Sequence, residues 1–215
     1  MVFGANGATG RLVAAMAVAA GHSVTAIARR PREFPFYDRG LQVAEVDVRD
    51  AEAVDWVVAG HDAVISVIGV PPTRRPVTVY SEGTAHIVRS MAGHGTRRLV
   101  CVSSAGLDPG AGSGSGPGRA LWRREVRRRV FQARMLGVHR DMGRMEDIVR
   151  GSALDWTLVR AGRLIGVSPT DYRTSPHALP GAWTSRGDLA HLLLRRTVRC
   201  GPVRDTVYVT SSDRR

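Results

Sequence analysis

The chain has 215 residues, 43% of them hydrophobic, and a net charge of +12 in which every basic residue is arginine and none is lysine. That length fits one domain with a substantial core, and the missing lysine excludes a Schiff base, a P-loop or a Tyr-x-x-x-Lys pair. No apolar run approaches the ~18 residues needed to span a bilayer, and two cysteines, Cys101 in an apolar run and Cys200 in a turn, predict free thiols and a cytoplasmic chain.

The first eleven residues, MVFGANGATGR, place a short apolar run, Val2-Phe3, ahead of Gly4, Gly7 and Gly10. An alanine-rich helix, LVAAMAVAA, follows. Strand, glycine turn and helix in this order suit a dinucleotide pyrophosphate. Glycines allow the tight turn and close packing, and the helix N-terminus aims its N–H groups at negative charge. The helix resembles a signal-peptide core, but three glycines and no charged segment precede it. One residue stands before Val2, so the first strand either continues from residues upstream or is frayed.

SVTAIA (23–28) alternates as a second strand and ends in Arg29-Arg30-Pro31. An acidic residue here would accept from an unphosphorylated ribose, whereas two arginines with no carboxylate beside them suit a 2′-phosphate. The expected cofactor is NADP(H). LQVAEV (41–46) is a third strand, with Asp47 and Val48 at the carboxyl end where adenine can rest. Asp50 caps a helix over 51–59. DAVISVIG (62–69) and RLVCVSSAG (98–106) are continuous apolar runs, typical of strands buried on both faces. They flank a helix over about 80–94. Strands alternating with helices predict an α/β fold, a doubly wound, mainly parallel sheet with helices on both faces.

Residues 107–118, LDPGAGSGSGPG, predict a flexible loop. The segment 119–134 then carries seven arginines against Glu125, with Trp122, Val126, Val130 and Phe131 on one helical face. It predicts a separate basic helix, and the loop and helix together form an insertion at about 107–136. Trp122 and Phe131 would present aromatic surface to a planar acceptor as part of a lid. A merely packed surface helix is an alternative. Nucleic-acid binding is disfavoured, because no recognised motif accompanies the charge. A second helix over 138–150, the strand LDWTLVRAG, a helix over 185–198 capped by Ser185 and a last strand TVYVT complete one NAD(P)-binding domain over 1–215.

GANGATG at 4–10, Arg29-Arg30, Asp47-Val48, VSSAG at 102–106, LDWTLVRAG at 154–162 and SRGDLA at 185–190 together resemble the atypical short-chain dehydrogenase/reductase superfamily. The similarity is to its NAD(P)H-binding branch of NmrA-like proteins and biliverdin-IXβ/flavin reductases, and it implies a Rossmann-type fold. It also implies that Gly4, Asn6, Gly7, Thr9, Gly10 and Arg11 hold the pyrophosphate and that Asp47 and Val48 flank the adenine. Ile68-Gly69 would run beside the adenosine half, with Ser103 and Ser104 near the nicotinamide. If Glu146 is the glutamate that follows the family's dyad, Val138 and Met142 occupy the Tyr and Lys positions, and neither moves a proton. Ala161 stands where a proline is usual.

Ser103 is then the expected hydrogen-bond partner of the acceptor. His139 and Asp141 are possible proton donors, each otherwise a residue of a solvated helix surface. No histidine spacing suggests a metal. The expected activity is NADPH-dependent reduction of a small planar acceptor, aromatic or conjugated, such as a flavin, quinone, tetrapyrrole or polyketide-like carbonyl. The alternatives are an NADP-sensing regulatory protein and a nucleic-acid-binding protein. A monomer or a homodimer is expected.

Overall fold

A computed structural model describes residues 1–73, 75–108, 121–166, 168–179, 183–198 and 203–211, with side chains between 121 and 134 left out. Its strands are β1 (Val2–Phe3), β2 (Val24–Ala28), β3 (Leu41–Glu45), β4 (Ala63–Ser66), β5 (Arg98–Ser104) and β6 (Asp155–Ala161), then β7 (Arg163–Ile165), β8 (Tyr172–Ser175), β9 (Trp183–Ser185) and β10 (Arg204–Ser211). The helices are α1 (Ala8–Ala19), α2 (Ala51–Val58), α3 (Val79–His94), α4 (Leu121–Arg150) and α5 (Arg186–Thr197).

Among the described residues, eight strands form one sheet in the order β3-β2-β1-β4-β5-β6-β10-β8, parallel except for β8. The expected doubly wound fold is present. The strand order reverses between β1 and β4, and that is where such sheets open a crevice at their carboxyl ends. One core, with Phe3, Val54, Ile87, Met91, Leu99 and Leu158, lies under α2, α3 and α4. A second, with Val13, Ala14, Val100, Leu189 and Leu193, lies under α1 and α5. Small residues (Thr9, Gly10, Ala14 and Ala17, with Val13) make up the buried face of α1, so that helix sits close to the sheet.

β1 is not frayed. Its two residues are buried and pair with both β2 and β4. The apolar run 62–69 yields a strand over 63–66 alone; beyond it the Val67 N–H still donates to the Phe3 carbonyl at 3.0 Å, and Ile68 and Val70 pack on the first core. Likewise β5 stops at Ser104, and Ala105–Leu107 form a single 3-10 turn. Asp50 caps α2 and Ser185 caps α5, as their side chains foretell.

The two helices expected over 119–134 and 138–150 are one continuous helix, α4. Gly137 sits within this helix, where a Cβ would lie 3.7 Å from the Arg75 carbonyl oxygen. From residue 109 onward the expected flexible stretch lies outside the described residues. So do the side chains of Trp122 and Phe131, and Cys200. Cys101 is a buried free thiol whose pKa burial pushes up to about 12, so it stays protonated.

Candidate functional site: a dinucleotide cradle and a buried polar row

Two glycines make the crevice. Gly4 has a φ of +76°, and a Cβ on it would lie 2.7 Å from the Val67 carbonyl oxygen at the end of β4. The loops after β1 and β4 therefore touch at the point where the strand order reverses. A Cβ on Gly10 would overlap the Gly4 carbonyl oxygen and reach 2.7 Å from the Ala5 Cα. Gly7 is the N-cap of α1, with no side-chain cap and no acidic residue in the first turn. First-turn N–H groups have no acceptor within their own helix, so this end of α1 offers donors and positive potential to an anion.

Asn6 and Arg11 brace that turn. The Arg11 guanidinium donates to the Asn6 Oδ1 from Nε at 3.0 Å and from Nη2 at 2.5 Å, and Nη2 also reaches the Glu33 carbonyl at 3.4 Å. The Asn6 amide donates to the Arg30 carbonyl at 3.5 Å. The expected group Gly4, Asn6, Gly7, Thr9, Gly10 and Arg11 is thus brought together, with the guanidinium serving the loops.

Arg29 and Arg30 end β2 exposed, as expected. Carboxylates do stand beside them, contrary to the sequence reading. Glu33 pairs with Arg30 at 3.2 Å, since one 3-10 turn carries it back. Asp47 has its pKa lowered first by the Arg49 backbone N–H, with the Arg29 charge contributing. The Arg30–Glu33 pair is solvated on both sides, and such pairs contribute about 0–1 kcal/mol. The Arg30 fork can leave it for another anion. Val48 is buried under α3 against Gly83, whose Cβ would lie 2.7 Å from it, and its carbonyl meets His86 Nδ1 at 3.0 Å.

Ile68 and Gly69 lead into Val70, whose N–H donates to the Tyr80 hydroxyl at 3.0 Å. The Tyr80 N–H in turn donates to Asp141 at 2.9 Å, and the Ser81 hydroxyl donates to the same carboxylate. Thr78, the N-cap of α3, makes no side-chain cap bond. Asp141, 1% exposed on α4, does that work from outside the helix. It is neither a solvated surface residue nor placed to give a proton, because its partners are donors.

At the carboxyl end of β5 the geometry departs from the expected roles. Ser103 is 2% exposed, and its hydroxyl donates to Glu146 Oε1 at 2.6 Å. It is therefore engaged by the protein. Ser104 is less buried, accepts from the Gly106 N–H and lies 3.5 Å from His139 Nε2. His139 is half-buried, and burial lowers its pKa, which favours the neutral imidazole. Val138 is buried, and Met142 packs on the same core. The positions read as a vacant dyad face the sheet one turn apart, with Glu146 one turn further on.

Glu146 anchors what sequence reasoning missed. Arg160 on β6 donates to it twice, Nε to Oε1 at 2.9 Å and Nη2 to Oε2 at 2.7 Å. Arg150, one turn along α4, reaches Oε2 at 2.7 Å. Arg160 Nη1 also donates to Asp108 Oδ1 at 2.7 Å and to the Tyr208 hydroxyl at 2.5 Å. Strand register sets Ser103, Arg160 and Tyr208 side by side on β5, β6 and β10. Burial alone would raise the Glu146 pKa, but hydrogen bonds from Arg160 and Ser103, with the charges of Arg160 and Arg150, hold it below its ordinary value. Hydrogen bonding to Glu146 raises the pKa of Arg160 further, so the pair is ionised.

A family model described as NAD(P)H-binding matches residues 4–197. The chain belongs to this NAD(P)H-binding family. The match bears out the resemblance to atypical short-chain dehydrogenases/reductases. The anaerobillin reductase ChuY from Escherichia coli O157:H7 aligns with a TM-score of 0.74 at 19% identity, over 100% of this chain and 97% of that one. A short-chain dehydrogenase/reductase from Veillonella parvula DSM 2008 in complex with NADP has a TM-score of 0.74 at 19% identity, over 97% and 92%. At such identities the likeness is one of fold. An uncharacterized protein of Mycobacterium tuberculosis is 36% identical over 104 residues, which span 48% of this chain and 12% of that relative.

No helix among the described residues is long and apolar enough to cross a membrane. No cluster of metal-ligating side chains occurs among them either.

Proposed function

We propose that the protein is a cytoplasmic NADPH-dependent oxidoreductase that delivers hydride to a small aromatic or conjugated acceptor. The observation that carries this reading is the crevice at β1 and β4. Two glycines there let the loops after β1 and β4 and the first turn of α1 close on one another where any Cβ would strike backbone, beside an uncapped helix N-terminus and two strand-end arginines. When bound, the nicotinamide supplies the hydride. The chain's own part is to hold the dinucleotide, orient the ring beside Ser104 and His139, and keep water out.

With Val138 and Met142 turned into the core, no strong proton relay is at hand among the described residues. A flavin or quinone suits such a site, because it takes the hydride readily and gains its proton from solvent. Likeness in fold to a protein named an anaerobillin reductase accords with reductive chemistry. The engagement of Ser103 by Glu146 transfers the acceptor-facing role to Ser104.

Cofactor choice gives the direct test. A charge-assisted contact to the 2′-phosphate contributes roughly 1.5–3 kcal/mol, so NADP(H) should bind about ten- to a hundredfold more tightly than NAD(H). Titration of both dinucleotides should show that preference, and the double variant Arg29→Ala, Arg30→Ala should abolish it. Equal affinities in the unaltered protein would remove the NADPH reading. Tight binding without oxidation by any acceptor would favour an NADP-sensing role instead.

A further inference from the structure

At the carboxyl rim of the sheet, Asp108 offers its two oxygens to two separate donors. Oδ1 accepts from Arg160 Nη1 at 2.7 Å, and Oδ2 accepts from the Tyr208 hydroxyl. This is the arrangement of a carboxylate in a receptor. We propose that Arg160 and Tyr208 form a carboxylate-binding subsite for the acceptor, in which the Asp108 side chain is an internal occupant displaced by substrate. The inference rests on the reading of the rim as the acceptor side and names the acceptor's class: a conjugated molecule that carries a carboxylate.

Three observations support it. First, the donors are fixed without Asp108. Glu146 grips the Arg160 fork through two hydrogen bonds from behind, and Tyr208 stands beside Arg160 in strand register, with the guanidinium carbon 5.5 Å from its ring centroid. The occupant, by contrast, belongs to no helix or strand. It ends a single 3-10 turn, and its side chain is 32% exposed against 12% for Arg160.

Second, the charges balance through Asp108. Arg150 and Arg160 face Glu146 and Asp108, two cations against two anions among the described residues. Withdrawal of Asp108 leaves one positive charge uncompensated at a partly desolvated site. A substrate carboxylate restores neutrality, and a neutral ligand does not.

Third, the subsite has the right neighbours. Asp108 lies four residues beyond Ser104, whose hydroxyl meets His139, and Arg160 stands opposite Ser103 in the β5–β6 register. A planar acceptor anchored by its carboxylate at Arg160 and Tyr208 would lie across the rim beside these side chains.

Benzoate, with benzamide as the neutral isostere, tests the subsite on the full chain by calorimetric titration, with and without NADP. Asp108→Ala should raise benzoate affinity about ten- to a hundredfold, the range of one charge-assisted hydrogen bond. The further change Tyr208→Phe should remove most of that gain, and benzamide should gain little in either variant. Asp108→Asn, which keeps the shape of the turn, should give a smaller gain of the same sign and serves if the alanine variant is unstable. No gain in either variant, an equal gain for benzamide, or a gain that survives Tyr208→Phe would overturn the subsite. Binding of benzoate requires no hydride transfer. Turnover without this subsite refutes the subsite alone, and a subsite without turnover refutes the oxidoreductase reading alone.

Discussion

Glu146→Ala should lower the melting temperature by about 6–20 °C, the largest effect of any single substitution considered. The Glu146 side chain is 2% exposed and accepts from Arg160, Ser103 and Arg150. Removal of one partner from a buried ion pair leaves the other charge uncompensated, at about 3–5 kcal/mol. For a chain of this size each kcal/mol shifts the melting point by about 2–4 °C. Thermal unfolding followed by circular dichroism measures it. A loss under about 2 °C would mean that Arg160 finds another partner.

The same pair sets an acid limb. The folded-state pKa of Glu146 lies below its ordinary value of 4.5. The stability it contributes is therefore fully present above about pH 4.5 and is lost as pH falls through the lower folded value. Glu146→Gln should flatten that limb while leaving the neutral-pH packing largely in place.

Gly10→Ala should abolish dinucleotide binding, with a loss of affinity of at least about a hundredfold. The added Cβ would overlap the Gly4 carbonyl oxygen and press on Ala5, both of them backbone. Backbone cannot swing aside as a flexible side chain can, so α1 must back away from the turn. Its N–H groups would then miss the phosphates by a distance that electrostatic contacts do not tolerate. Gly93 is a fitting control, because a Cβ there meets nothing within 4 Å. Gly93→Ala should bind as the unaltered protein does. Equal binding by Gly10→Ala would show that the cradle is not where the phosphates sit.

Much of the fold is legible in the sequence because its strands are short apolar runs between strong punctuation. Gly4, Asp50 and Ser185 mark element ends by their own chemistry, and each does so in the structure. The cradle is legible for the same reason, since its residues lie within eleven positions. The rim is not. Arg160 and Glu146 are 14 residues apart, Arg160 and Tyr208 are 48 apart, and Tyr208 and Asp108 are 100 apart. Strand register sets Arg160 beside Tyr208, while Glu146 comes from α4 and Asp108 from the 3-10 turn after β5, so the tertiary fold alone brings them together.

Asp141 shows the same limit. Its carboxylate caps a helix that begins some 60 residues earlier, so the local pattern reads it as a surface residue. β7, β8 and β9 escaped notice because three- and four-residue strands with mostly partly exposed side chains lack an alternation long enough to register. Carboxylates beside Arg29 and Arg30 were missed because turn geometry decides which neighbours face a guanidinium.

The most direct test of the account is a single turnover. Protein loaded with one equivalent of NADPH is mixed with a flavin, a quinone or an aliphatic ketone, and nicotinamide absorbance is followed against a protein-free control. The account predicts that at least one conjugated acceptor consumes the nicotinamide signal with a rate that saturates with protein. Acceptor reduction should follow the same time course, the ketone should stay inert and NADH should react more slowly. Decay no faster than the control for every conjugated acceptor, or equal reduction of the aliphatic ketone, would contradict it.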